Sequence, residues 1–173
     1  MDTKNFDKLL LKTAFCCMAS DGDIDPREVE LIHEMCTESS LFKDLDFEAE
    51  MNALVADINA QGKTFIQGYF EELGKANLNN EEELLIVDFA IKTIYADDAV
   101  EYSEIKFFKV IRHNLKISDD TILERFPDIE QFLEEDLVTE SFMERIKKQY
   151  LDIAELPQFG AISGVNFGKA KKQ

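Results

Sequence analysis

An acidic motif occurs twice in this chain, and the repetition constrains the fold more than any other feature. Asp21-Gly22-Asp23-Ile24-Asp25-Pro26-Arg27-Glu28 returns 76 positions on as Asp97-Asp98-Ala99-Val100-Glu101-Tyr102-Ser103-Glu104. Apolar positions match around it. Leu9, Leu10, Leu11, Ala14 and Met18 fall on Leu85, Ile86, Val87, Ala90 and Ile94, and Ile32 and Met35 fall on Phe108 and Ile111. Each copy reads as an apolar helix, an acidic turn and a second helix. Two such units are expected to pack about a pseudo-twofold axis, which brings the two acidic turns together. Carboxylates gathered in one place repel unless something cationic sits among them.

The bulk charge narrows the partners. Acids outnumber bases 36 to 19, for a net charge of -17, a surface that repels phosphates, so nucleic acid and anionic membrane are poor partners, while cations and basic protein surfaces suit the chain. Hydrophobic residues make up 45%, enough for a packed core. The three cysteines, Cys16, Cys17 and Cys36, have no framework spacing and fit a reducing compartment. No signal-peptide pattern opens the sequence and no apolar run approaches a membrane span, so a cytoplasmic protein without membrane insertion is expected.

The periodicity is helical almost throughout and predicts an all-α fold of seven to nine helices. The first helix carries Phe6, Leu9, Leu10, Thr13, Ala14, Cys17 and Met18 on one stripe and stops at Ser20-Asp21-Gly22. Asp25 is the expected N-cap of the second, with Pro26 at its first position and Glu28 as the reciprocal cap. Further helices are expected over 47–58, 65–74, 80–95 and 102–114, the fifth apolar over a wide arc and therefore central. Short helices after Ser118 and Pro127 and a last one over 142–153 complete the set. The organisation reads as a repeat domain over 1–115, a helical extension over 116–156 packing on it, and a glycine-containing tail over 157–173. That tail is too apolar for a plain linker and is expected to dock on the domain or on a partner.

A helix ending in Met18-Ala19-Ser20-Asp21-Gly22-Asp23-Ile24-Asp25-Pro26-Arg27-Glu28, followed by a second pair around Ala96-Asp97-Asp98 and Glu101 to Glu104, resembles the TerB-like family, which is associated with tellurite resistance in bacteria. The resemblance covers roughly residues 6 to 115. It implies an all-α fold in which acids of the two turns form a divalent-cation site. It also implies a binding or scaffold module, linked to tellurite or stress response, rather than an enzyme. Carried over position by position, the ligands are Asp21, Asp25, Glu28, Asp97, Glu101 and Glu104. Asp98 departs from the first copy's Gly22, and the stretch after residue 115 has no counterpart in the family pattern.

The residues support a cation on their own terms. Within each copy the acids stand at i, i+4 and i+7, and oxygen-only donors suit Ca²⁺, Mg²⁺ or Mn²⁺. Two sets of three can complete a cage that neither completes alone. Asp21, Asp97, Glu28 and Glu104 recur unchanged and lead the set, while Asp25 and Glu101 are either ligands or caps. The competing reading needs no metal: Asp25 and Glu28 are what a helix start favours. It makes the chain a metal-free acidic adaptor for a basic protein partner. An EF-hand fails in both copies, because its first and third ligands would be Cys17 and Ala19, then Thr93 and Tyr95. His33, Cys36 and Cys17 fall short of a zinc ligand set, and no nucleophile, phosphate loop or histidine base accompanies the acids for hydrolysis. Phe107 and Phe108 are expected in the core, and Glu81-Glu82-Glu83 as the negative first turn of a helix.

Overall fold

The computed structural model describes residues 3–39, 41–96, 99–134 and 156–162. Among these it is all-helical: α1 Thr3–Ala19, α2 Pro26–Glu38, α3 Phe47–Gln61, α4 Lys63–Lys75, α5 Asn80–Ile94, α6 Tyr102–His113, α7 Asp119–Arg125 and α8 Glu130–Leu133, with one 3-10 turn at Pro127–Ile129. No strand occurs among the described residues. The helix expected over 142–153 and the tail beyond Ile162 lie outside the described residues.

The packing follows the repeat. Among the described helices the most extensive contact is between α1 and α5, the first helices of the two copies. The first helix of each copy also meets the second helix of the other, α1 against α6 and α5 against α2. This reciprocal exchange is what a pseudo-twofold relation between duplicated helix pairs produces. As its wide apolar arc predicts, α5 is central and touches α1, α2 and α6. The α3–α4 hairpin bends at Gly62, whose φ of 55° is a left-handed value open to glycine, and closes over α1.

Aromatic rings join the helices across a largely aliphatic core. Tyr69 and Phe70 of α4 pack with Phe107 of α6, the ring centroids of Phe70 and Phe107 standing 5.1 Å apart. Buried Tyr69 keeps its hydroxyl satisfied by donating to Thr13 Oγ1 at 3.0 Å, and Thr13 in turn donates to the Leu9 carbonyl at 2.9 Å. Phe107 and Phe108 are both in the core. Phe132 of α8 meets Phe108 edge-on at 5.6 Å and Tyr95 at 5.7 Å, so the described part of the extension, 116–134, packs on the repeat domain.

Two local outcomes differ from the sequence expectation, and a third falls in the α2–α3 connection, where the periodicity predicts nothing. α4 continues one residue past Gly74, which is helical. A Cβ there would stand 2.9 Å from Asn114 Oδ1, so the glycine serves close approach to α6 rather than termination. Glu83 does more than charge the first turn of α5. It is buried and its Oε2 accepts from the N–H groups of Ile117 at 2.6 Å and Lys116 at 2.9 Å, which anchors the chain as it leaves α6. Phe42 adopts a left-handed φ of 65°, and Asp7 Oδ2 accepts its N–H at 3.1 Å, holding the α2–α3 connection against α1.

Candidate metal centre

The first acidic turn begins where α1 runs out of helical partners. Ser20 Oγ donates to the Cys17 carbonyl at 2.7 Å, and the Gly22 N–H reaches the Ala19 carbonyl at 3.2 Å. Gly22 has φ of 90°, which turns the chain away from the helix axis. Asp21 Oδ1 then accepts the Asp23 N–H at 2.9 Å and closes a local turn. Asp25 caps α2 as its position predicts: its Oδ1 accepts the Arg27 N–H at 2.8 Å, and Glu28 Oε2 accepts the Asp25 N–H at 3.0 Å.

The second turn repeats this chemistry. Glu101 is the N-cap of α6, and Glu104 Oε2 accepts the Glu101 N–H at 2.7 Å. Glu28 and Glu104 are thus equivalent in sequence, in their place in the first helical turn, and in burial at 4% and 3% exposure. Carboxylates this deep are uncommon, and each here accepts the N–H of its own helix cap.

The two carboxylates share a neighbour. Cys17, in the last turn of α1, has its thiol pushed up well above the usual range, first by burial, then by Cys16 and by the negative charges of Glu104 and Glu28. Of the two helices that carry these carboxylates, α6 packs against α1 and α2 packs against α5.

The remaining predicted ligands are placed differently. Asp25 is engaged by its neighbour: Arg27 Nη2 lies 2.7 Å from Oδ2 and Nε 3.1 Å from Oδ1. This hydrogen-bonded guanidinium holds the Asp25 carboxyl below its ordinary value. Asp21 and Glu101 are exposed at the surface of their turns. Asp97 lies outside the described residues, as does Asp98. Among the described residues no group of three or more histidine, cysteine, aspartate or glutamate side chains is set to hold a metal ion. His33 instead packs edge-on against Phe47 at 4.9 Å. Chemically, the buried Glu28 and Glu104 offer hard oxygen donors from two helices. A carboxylate has about four lone-pair positions, so accepting a cap N–H is compatible with ligation.

Two asparagines carry no motif in the sequence yet each pairs with both the N–H and the carbonyl of one distant residue. Asn52 and Asn59 of α3 bind the backbone of the 156–162 segment, which packs beside the first acidic turn. Their only sequence signal is a seven-residue spacing on one helix face.

No protein-family model, no curated protein and no solved structure matches this chain.

Proposed function

We propose that this chain is a non-enzymatic binding module that takes a divalent cation between its two acidic turns and offers an acidic surface to protein partners. The observation that supports the reading is the burial of Glu28 and Glu104 at equivalent cap positions of two helix pairs that pack reciprocally. A cation there relieves their repulsion and ties the repeats together. Glu28 and Glu104 are the core of the ligand set, with Asp21 and Asp97 supplied by the turns. Asp25 and Glu101 serve as helix caps, Asp25 being held by Arg27. The non-enzymatic reading is supported by the thiols: burial raises all three, so none is a thiolate nucleophile at neutral pH. On the resemblance to the TerB-like family, the setting is a tellurite or other stress response in the cytoplasm.

A ligand that binds only the folded state stabilises it by about 2.7 kcal/mol at 100 times its Kd. The melting temperature of the chelator-treated protein should therefore rise with added Ca²⁺, Mg²⁺ or Mn²⁺. The rise should vanish in Glu28→Gln with Glu104→Gln. Flat curves for all three cations in the wild type would refute the reading.

The metal-free adaptor is the second reading, favoured by the helix-capping roles that Glu28 and Asp25 already fill. It predicts capture of a basic protein partner that survives chelator and weakens with salt.

A further inference from the structure

The segment Leu156-Pro157-Gln158-Phe159-Gly160-Ala161-Ile162 lies along α3 without helix or strand of its own. Its backbone is held by two amide side chains. Asn59 Oδ1 accepts the Phe159 N–H at 2.7 Å, and Asn59 Nδ2 donates to the Phe159 carbonyl at 2.8 Å. Asn52 does the same for Ile162, with Oδ1 to the N–H at 2.9 Å and Nδ2 to the carbonyl at 3.5 Å. Each asparagine reproduces the paired N–H and C=O bonds that one residue exchanges with its opposite in an antiparallel ladder.

The spacing is matched. Seven residues of α-helix rise about 10.5 Å, and three residues of extended chain span about 10 Å. Residues 52 and 59 therefore meet residues 162 and 159 in register, with the segment running antiparallel to α3. The bonds to the backbone are blind to sequence. Leu156 and Phe159 pack against the core and Ile162 is buried, and of these Phe159 and Ile162 are the two side chains at the positions the asparagines hold. The site is not filled. A cleft of about 270 Å³ remains between the segment and Gly22, Ile24, Pro26 and Val29, and a Cβ on Gly160 would meet nothing within 4 Å. On the same flank of α3 as the two asparagines stands Glu48, and the exposed Asp23 lines the cleft.

From this geometry we infer that the face of α3 beside the first acidic turn is a receptor for an extended peptide of a protein partner, and that the chain's own 156–162 segment is its displaceable resident occupant. The fitting partner presents an aromatic and an aliphatic side chain three positions apart, flanked by lysine or arginine. Main-chain bonds supply affinity and the two side-chain sites supply selection, as in other modes of extended-peptide recognition. The resident segment competes from within the same molecule, so removing its two anchors opens the site.

The probe is a dye-labelled peptide, Leu-Pro-Gln-Phe-Gly-Ala-Ile with two lysines at each end, titrated into the full-length chain. It should bind Phe159→Ser/Ile162→Ser roughly tenfold or more tightly than wild type, because an intramolecular competitor has been removed. Adding Asn59→Asp, which cannot donate to the peptide carbonyl, should abolish that binding. Equal affinity for wild type and a folded Phe159→Ser/Ile162→Ser chain makes the segment a structural latch and overturns the inference. If that variant does not fold, amide exchange in the wild type decides. Excess peptide should speed exchange of the Phe159 N–H, and no change overturns the inference. Self-association of the wild type that excess peptide does not reverse assigns the site to a second copy and likewise overturns it.

Discussion

Glu28 and Glu104 are the same residue of two repeats. They lie 76 positions apart in the chain, each turns back on the N–H of its own helix cap, and both carboxylates act on the Cys17 thiol. Their burial is the least expected property of either turn, because capping needs only a carboxylate near the surface. Neutralising one of them should separate its roles. Glu28→Gln keeps an acceptor for the Asp25 N–H and removes one charge, so metal-free protein should unfold within about 1 kcal/mol of wild type. The same change should weaken Mn²⁺ binding by an order of magnitude or more when followed by calorimetry.

Glu83 is the anchor of the connection between α6 and α7. Glu83→Ala leaves the N–H groups of Lys116 and Ile117 without their acceptor, and Ile117 is buried. Urea unfolding should show a loss of about 1.5–3 kcal/mol, the range for a charged hydrogen-bond partner. Glu81→Ala, at an exposed neighbour in the same turn, should stay within about 0.5 kcal/mol.

Gly22 occupies a left-handed position, and a Cβ there would stand 3.4 Å from Pro157 Cδ. Gly22→Ala should therefore cost about 1 kcal/mol or more. For a chain of this size that is a fall of about 2–4 °C in melting temperature. Gly160→Ala, which has neither a positive φ nor a neighbour, should melt with wild type.

Alkali should destabilise the fold in a defined direction. Burial, with a smaller contribution from Asp7, pushes the Cys36 thiol up to about 12 from an ordinary 9.0, and burial raises Cys16 and Cys17 as well. A group whose folded value is raised contributes stability that is fully present below its unfolded value and is lost as pH rises toward the folded one. Denaturant unfolding should show a plateau up to about pH 8 and a progressive loss above pH 9. The thiols should react with iodoacetamide at neutral pH only as fast as the chain opens.

The parts of this architecture legible in the sequence are those fixed by neighbours in the chain. The start of α2 at Asp25, Pro26 and Glu28 is local chemistry, and the capping bonds form between residues two or three apart. The central place of α5 follows from its wide apolar arc, and the reciprocal packing of the two helix pairs follows from the repeat. What the sequence hides depends on distant partners. Glu83 looks like one of three first-turn acids until Lys116 and Ile117 are brought to it from 33 and 34 residues on. Asn52 and Asn59 look like surface residues until a segment about 100 residues later lies across them. Phe42 gives no sign of its left-handed backbone, which Asp7 stabilises across 35 residues. Of the six acids proposed as ligands, Glu28 and Glu104 are buried at equivalent cap positions, while Asp25 is engaged by an arginine two positions away, a pairing that spacing alone does not reveal.

The most direct test of a cation between the repeats is anomalous diffraction from crystals grown with Mn²⁺. A site shared by the two turns predicts one strong peak within about 2.6 Å of carboxylate oxygens from both Glu28 and Glu104. That peak should be absent from Glu28→Gln with Glu104→Gln. No peak between the turns, or Mn²⁺ only on exposed acids such as Glu101, would contradict it.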